Sequence, residues 1–578
     1  MIGKYFSRKS GRGFYLPGQE IKIDKISSFH DFSFENDSLY ICKNRVMFSV
    51  FSFIAVFLII SLRLFDLCIL SGLEKKDNTP HGIYAHNTIK RADIIDRNGT
   101  IVATSLPTVN LYVNPRKVLN APKLAHELVK ILPELDYDTT YKKLTQKKGT
   151  FIYLKRNLTP SQQYQINYLG DPSLEFEEGE KRVYPHKNLL AHIIGRTDVD
   201  NIGISGLEKA MDERLTNSNI PLALSIDVGV QDTIRELLKE GMEKYKAVGA
   251  TAILMDANSA EVIAMVSLPD YDPNINKVNN ERALFNMATK GVYEPGSVLK
   301  IFNTAMSLES GKVKVADKFD ATQPLKLRYN TIKDYRGENR WLSVPEILVY
   351  SSNIGSAQMA LKVGGNEQRN FLEKIGFFEN VDIELAEKGY PLVPKRWGDT
   401  TVATVAYGYG ISVSPLHVIS AYSAVINGGI YHSPSILKNS PKAQNGHRVI
   451  SFSTSKAMRK LMRLVVTDGS GKRANVKGYE VGGKTGTANK LSENGRYVDK
   501  KVRTTFVSAF PISDPKYALI VMLDEPQPLK ETWGFVTSGW NTVPTASKII
   551  SAVAPQLNLK ANYDLDELRQ MRIIEASY

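Results

Sequence analysis

Seventeen consecutive uncharged residues, VMFSVFSFIAVFLIISL from Val46 to Leu62, form the most apolar stretch of the chain. Carried on to Leu70 past Arg63 and Asp66, the run is long enough for a helix that crosses a bilayer, with both charged side chains near its end, where they can snorkel or meet protein. A cleavable leader fits poorly, because a long polar segment precedes the run and no A-x-A site follows it. A lipoprotein signal fits no better, since Asp66 and Leu67 stand where small residues belong before Cys68. The expectation is an uncleaved transmembrane anchor over 46–70. Ahead of it, residues 1–45 mix Ser, Lys, Asp and Phe without period and read as a mostly disordered tail; behind it, the chain is polar and linker-like to about residue 90. Lys43 and Arg45 on one side face Arg63, Lys75 and Lys76 on the other, so charge gives only a slight lean on orientation.

Beyond the linker, KRADIIDRNGTIVATSLPTVNLYVNPRKV places short β-branched runs around Asn98-Gly99, a hairpin signal. Helical patterns such as APKLAHELVKIL follow, and the segment reaches GISGLEKAMDERL with a small core of its own, giving a first module over 71–220. A second domain, 221–556, opens with a strand and an amphipathic helix in PLALSIDVGVQDTIRELLKEGMEKY. Next, GATAILMDANSAEVIAMVSLPDYDPN reads as two antiparallel strands turned at Ala257-Asn258-Ser259. Helices and loops fill the middle. Strands return at GYEVGGKTGTAN, RTTFVSAFPI and KYALIVMLDEP before a helix around PTASKIISAVA. Strands, then helices, then strands predict an α+β fold, an antiparallel sheet flanked by helices that closes late. Residues 557–578 are left as a tail in which DLDELRQMRIIEASY has a short helical pattern, and no internal repeat occurs.

With 578 residues, the chain holds two to four domains rather than one core. The net charge of +14 raises a nucleic-acid partner, yet no basic, aromatic-interleaved run or binding motif accompanies it. We read the charge as a solvated surface able to face anionic lipid or wall polymers. Cys42 and Cys68 bracket the apolar run; on one helix they stand roughly 39 Å apart, far beyond disulfide reach. The nine histidines are scattered without an H-E-x-x-H pair, so neither a metal nor an organic cofactor is expected. DGSGKRA, Asp468 to Ala474, lacks the spacing and final Ser/Thr of a phosphate loop and reads as a turn leading into the strand of Lys484. No serine sits in a G-x-S-x-G elbow.

Chemistry enters with YEPGSVLKIF, Tyr293 to Phe302. A serine hydroxyl is a poor nucleophile until a base takes its proton. If Ser297 starts a helix, Lys300 lies one turn on, on the same face, among apolar neighbours that favour its neutral form. The bland alternative is a helix cap followed by a surface lysine. Two further strings sit in the same domain. YSSNIGSAQMAL puts Ser351 and Asn353 two apart at a turn before a helix, and GGKTGTAN puts Lys484, Thr485, Gly486 and Thr487 on a strand, where both threonines share a side and Gly486 leaves room for an approaching backbone. Each alone reads most simply as a cap or a strand end; the order S-x-x-K, S-x-N, K-T-G is what is hard to explain as coincidence.

In that order the chain resembles the penicillin-recognising serine enzymes. RADIIDRNGTIVA is similar to the opening of the N-terminal module of class B penicillin-binding proteins, and GISGLEK and LSIDVGVQ to its end and the junction, so the resemblance spans roughly 46–555. Within class B, Asn353 in the middle motif resembles the division-specific type, FtsI, rather than the elongation-specific one. Two departures stand: IELAEKG replaces the family's Leu-Pro-Gly-Glu, and a second Gly precedes K-T-G. The resemblance implies a membrane-anchored protein with an elongated β-rich module and a penicillin-binding transpeptidase domain. It further implies Ser297 as nucleophile and Lys300 as base, with Ser351 passing the proton to the leaving amine. Lys484 would supply positive potential, Asn353 hold the substrate amide, and Thr485 and Thr487 bind the terminal carboxylate. Backbone amides of Ser297 and Thr487 would form the oxyanion hole. The implied substrates are peptidoglycan stem peptides, a D-Ala-D-Ala donor and an amine acceptor, with β-lactams as mimics. The implied partners are an FtsW-like glycosyltransferase and other division proteins, with the bulk of the chain outside the inner membrane. A β-lactamase or β-lactam sensor shares the motifs, but no E-x-x-L-N string follows the middle one. A division scaffold with little activity is the non-enzymatic reading.

Overall fold

The computed structural model describes residues 34–65 and 91–563, apart from 147–148, 276, 329 and 492–496. It divides into two units, Met1–Asn87 and Thr88–Tyr578. In the first, α1 (Phe34–Phe65) is one helix. Residues 34–45 are therefore helical, where the sequence was expected to be part of a disordered tail; the rest of that tail, the linker and the C-terminal helical pattern lie outside the described residues. Side chains are described for residues 47–63, and among the described residues no helix is long and apolar enough to cross a membrane. Phe48, Phe51, Phe53, Phe57 and Ile59 on α1 are all exposed.

In the second unit, β1 (Ile94–Ile95) and β2 (Ile101–Val113) pair antiparallel across the Asn98-Gly99 turn. Gly99 takes φ +90, a conformation glycine adopts without cost. β2 also pairs with β3 (Ile152–Leu158) and β4 (Leu174–Val183), while β1 runs parallel to β5 (Leu222–Ala223). Leu111, Val113, Leu128, Leu154 and Leu158 supply the small core expected of this module. At its base Arg91 donates to Glu208 (Nε to Oε2, 2.7 Å) and to Asp212 (2.7 Å), and Arg182 donates to the other Glu208 oxygen at 2.7 Å. Arg91, Arg182 and Glu208 are buried, so RADIID and GLEK, distant in sequence, close the module as one ion cluster.

The larger sheet has the order β14-β15-β16-β6-β7 and is antiparallel throughout. β6 (Gly249–Asp256) and β7 (Val262–Leu268) are the expected hairpin; β14 (Gly482–Leu491), β15 (Tyr497–Phe510) and β16 (Tyr517–Asp524) come from the other end of the chain. Between them lie three small antiparallel ladders, β8 (Lys318–Asp320) with β11 (Trp341–Ser343), β9 (Leu325–Lys326) with β10 (Thr331–Ile332), and β12 (Ile430–Tyr431) with β13 (His447–Arg448).

Period-2 alternation sends the two faces of this sheet into different cores. Leu519 and Val521 pack with α2 (Val228–Lys244) and α7 (Thr542–Gln556), through Ile234, Leu238, Ile549 and Ile550. Ile520 and Ile253 face the opposite core, built with Phe302 of α3 (Leu299–Glu309), Met359 of α4 (Asn353–Val363), Tyr422 of α5 (Pro415–Ile426) and Met458 of α6 (Phe452–Thr467). β14 is an edge strand, and α3, α4 and β14 carry the three motifs.

Candidate active site

Ser297 does not cap a helix. It sits in a single 3-10 turn, Gly296–Val298, that runs straight into α3, and its hydroxyl makes no capping bond. In a 3-10 turn residues i and i+3 eclipse, which sets Lys300 over the serine: Lys300 Nζ lies 3.0 Å from Ser297 Oγ. The turn depends on glycine. Gly296 has φ +55, and a Cβ there would come 2.9 Å from the carbonyl oxygen of Thr487. From the other side, a Cβ on Gly486 would meet Pro295 O and a Val298 methyl, both at 2.8 Å. The backbone that Gly486 admits is thus that of the turn bearing Ser297.

The middle motif divides its labour. Ser352 does what the bland reading expected: its hydroxyl accepts from Gly355 N at 3.0 Å and caps α4. Ser351, held at φ +59, instead turns its hydroxyl and carbonyl toward the two lysines. Lys300 Nζ donates to Ser351 O at 2.5 Å and to Asn353 Oδ1 at 2.8 Å, and lies 3.1 Å from Ser351 Oγ. Asn353 Nδ2 donates to Lys333 O, so both ends of its carboxamide are engaged. Lys484 Nζ approaches Ser351 Oγ at 3.0 Å from the opposite side.

Lys300 and Lys484 are fully buried. Burial, reinforced by the neighbouring Lys484 charge, holds the Lys300 ammonium well below the usual lysine range, with Asp334 acting in the other direction. Burial alone brings Lys484 down to about 7. A neutral amine 3.0 Å from a serine hydroxyl is placed to take its proton.

Thr485 and Thr487 share one face of β14, as strand alternation requires; Thr485 Oγ1 is 2.6 Å from Ser470 Oγ and Thr487 Oγ1 accepts from Ser538 N at 3.3 Å. Ser297, Lys300, Ser351, Asn353 and Lys484 thus form one hydrogen-bonded cluster, and Thr485, Gly486 and Thr487 follow on the strand that packs against the Ser297 turn. Sequence reasoning missed two contributors. Asp334 accepts from Ser352 Oγ (2.7 Å), Asn353 N (2.5 Å) and Ile354 N (3.0 Å), fixing the start of α4 from a loop after β10. Ser470 belongs to DGSGKRA, which does precede the strand of Lys484 but also delivers a hydroxyl to Thr485. No local signal marked either residue. Among the described residues no group of His, Cys, Asp or Glu could hold a metal ion.

A buried lysine 3.0 Å from a serine hydroxyl at a glycine-bounded turn is an arrangement suited to serine acyl transfer. Comparison with known proteins gives the family. Residues 250–539 match the penicillin binding protein transpeptidase domain, and 87–219 match the penicillin-binding protein dimerisation domain. The chain is 36% identical over 488 residues to the probable peptidoglycan D,D-transpeptidase FtsI of Caulobacter vibrioides, covering 82% of each. It is 30% identical to the peptidoglycan D,D-transpeptidase FtsI of Escherichia coli (81% of this chain, 84% of that one) and 28% identical to stage V sporulation protein D of Bacillus subtilis (90% and 86%). Among solved structures, a peptidoglycan synthetase from Bifidobacterium adolescentis superposes with a TM-score of 0.66 at 22% identity, covering 82% of this chain and 96% of that one. Penicillin binding protein 3 of Mycobacterium tuberculosis, complexed with aztreonam, gives 0.65 at 22% identity, with 82% and 98% covered. The chain belongs to the class B penicillin-binding proteins.

Proposed function

We propose that the protein is a peptidoglycan D,D-transpeptidase that crosslinks stem peptides through an acyl-serine at Ser297 during septal wall synthesis. The observation that carries this reading is the buried Lys300 amine, its pKa held well below the usual lysine range by burial and the Lys484 charge, 3.0 Å from Ser297 Oγ. Ser297 Oγ attacks the carbonyl between the last two D-alanines while its proton passes to Lys300 Nζ. The tetrahedral oxyanion faces the backbone N–H groups of Ser297 and Thr487, a kind of stabilisation typically worth about 3 kcal/mol. Collapse breaks the peptide bond, and the leaving D-Ala amine takes a proton relayed through Ser351, which touches both lysines. Thr485 and Thr487 hold the terminal carboxylate beside the Lys484 charge. An amine of a second stem then attacks the acyl-enzyme, gives up a proton through the same relay and restores the Ser297 hydroxyl. A β-lactam reacts as the donor does and remains on the serine.

The division role is supported by the S-S-N form of the middle motif and by the FtsI relatives at 36% and 30% identity. Membrane attachment through 46–70 is supported by the uninterrupted apolar run and by the exposure of its phenylalanines on α1, a surface that water disfavours. With the substrate outside the inner membrane, the transpeptidase domain lies on the extracytoplasmic side. The test is intact-mass analysis of the detergent-solubilised full chain with a fluorescent penicillin, beside Ser297→Ala. A stable one-to-one adduct that is absent in the variant is expected; rapid turnover of the adduct points to a hydrolase, and a folded wild type without any adduct points to a scaffold.

A further inference from the structure

The helices that carry the first two motifs are joined twice. At the site, Lys300 of α3 meets Asn353 of α4, its Nζ donating to Asn353 Oδ1 at 2.8 Å. Three residues further along each helix, Asn303 Nδ2 donates to the carbonyl oxygen of Ser356 at 3.0 Å. The two helices thus run in the same direction from the site, and the second bond lies one turn deeper, about 4.5 Å along the axis. Asn303 takes no part in the machinery above. It is 5% exposed and lines a small, mainly apolar cavity with Leu299, Phe302, Met306, Phe371 and Leu372. An amide in such surroundings costs desolvation unless it is bonded, and the bond to Ser356 holds its nitrogen, while its oxygen has no partner among the described residues.

This deeper bond bears on the direction of the Lys300 amine. In its neutral form the amine has two N–H groups and one lone pair. The acceptors for the N–H groups are Ser351 O at 2.5 Å and Asn353 Oδ1 at 2.8 Å, both at the start of α4. That leaves the lone pair for Ser297 Oγ at 3.0 Å, on the turn that enters α3. The serine and its base therefore belong to α3, and the groups that aim the base belong to α4, so the spacing of the two helices decides whether the lone pair faces the serine. A displacement of about 1 Å at such a point is enough to cost roughly a hundredfold in rate. Lys300 cannot fix that spacing by itself, because its N–H groups change in number each time it takes up a proton and gives it away. Asn303 does not titrate, and its bond to a backbone carbonyl persists through the cycle.

We propose that Asn303 is a positioning residue for acylation: by tying α3 to α4 one turn below the site, it keeps the Lys300 lone pair on Ser297 Oγ. The inference rests on the transpeptidase reading above. The test uses the detergent-solubilised full chain and a chromogenic β-lactam, with stopped-flow traces over a range of β-lactam concentrations. These separate the dissociation constant of the non-covalent complex from the limiting acylation rate. Asn303→Leu, similar in size but without a donor, is expected to lower the limiting rate roughly tenfold and to leave the dissociation constant within about twofold, because the residue sits below the site and touches no ligand. Asn303→Gln, which keeps the carboxamide and can extend into the cavity, is expected to recover part of the rate. Met306→Ala enlarges the same cavity from the same helix and leaves the bond intact, so it controls for a softened α3. It is expected to lower the thermal midpoint at least as far as Asn303→Leu does while keeping the wild-type rate. If Asn303→Leu does not fold, Asn303→Ser, too short to reach Ser356 O, is read in its place. A limiting rate unchanged in the donorless variant, or lowered as much in Met306→Ala, or lost together with β-lactam affinity, overturns the positioning role alone. A folded wild type that the β-lactam does not acylate overturns the transpeptidase reading as well.

Discussion

Lys300 and Lys484 aim their amines at one oxygen: Ser351 Oγ lies 3.1 Å from the first Nζ and 3.0 Å from the second. Burial lowers the proton affinity of both amines, and the Lys484 charge lowers that of Lys300 further. On the proposed mechanism the hydroxyl between them carries the proton from the Ser297 side to the leaving amine.

A pH profile follows. On the proposed mechanism acylation needs an unprotonated Lys300, so the rate climbs as pH rises through its lowered value. The Lys484 charge fades above about pH 7, so the rate falls again. Stopped-flow acylation by a chromogenic β-lactam is expected to give a bell with its alkaline limb near 7. Lys484→Arg, charged at every accessible pH, is expected to remove that limb while lowering the maximum.

Stability should move in the opposite sense. The folded pKa of Lys484 is depressed to about 7 while the unfolded chain keeps an ordinary lysine near 10.4, so between those values the unfolded state binds more protons and stability rises with pH. Lys484→Met is expected to unfold later than wild type at pH 7, by roughly 2 kcal/mol or more, with the gain shrinking toward pH 10. Urea titrations at the two pH values check this.

Asp334 is expected to matter for rate although it is outside the three motifs. Asp334→Ala removes the acceptor for Ser352 Oγ and two α4 amides, costing about 1–2 kcal/mol of stability by analogy with a lost helix cap. Because the same residue sets where Asn353 and Ser351 stand, acylation should drop roughly tenfold or more, whereas Asp334→Asn, which keeps an acceptor, should recover part of it. Thermal melts and acylation rates of the two variants separate the effects.

The three motifs were legible because each is local: S-x-x-K is one turn, S-x-N one loop, K-T-G one strand. The hairpins at Asn98-Gly99 and at Ala257 to Ser259 were legible for the same reason. Asp334 and Ser470 were not. Asp334 works on Ser352 across a loop, and Ser470 on Thr485 across a helix-to-strand connection. Nothing in their immediate neighbourhood distinguishes them from solvated polar residues. Ser297 was read as a helix start when it occupies a 3-10 turn, because the chain's need to pass Gly486 and Gly408 closely is a tertiary demand.

Gly486→Ala tests that demand. A methyl 2.8 Å from Pro295 O and from Val298 must push the nucleophile turn away from β14. The expected result is a loss of about 1–3 kcal/mol in stability, typical of overpacking, and a larger proportional loss in acylation than in thermal midpoint.

The ion cluster beneath the N-terminal module gives a prediction remote from the cleft. Glu208→Gln leaves Arg91 and Arg182 buried without their shared carboxylate, and is expected to cost about 3–5 kcal/mol. Limited proteolysis should show the module between residues 91 and 220 opening first, with penicillin labelling of Ser297 persisting in the cleaved material.

The order of the larger sheet also governs how the protein comes into being. β6 and β7 are made early, but their partner β16 is among the last strands synthesised, and β14 reaches them only through β15 and β16. The serine and its lysine therefore emerge long before the strand that completes their cleft, and the ribosome releases hundreds of residues whose long-range pairings are still waiting. A chain interrupted before Tyr517 carries the nucleophile but no finished site. A fragment that ends before Tyr517 therefore holds the serine, both lysines and both threonines without the strand that ties β14 and β15 to β6 and β7.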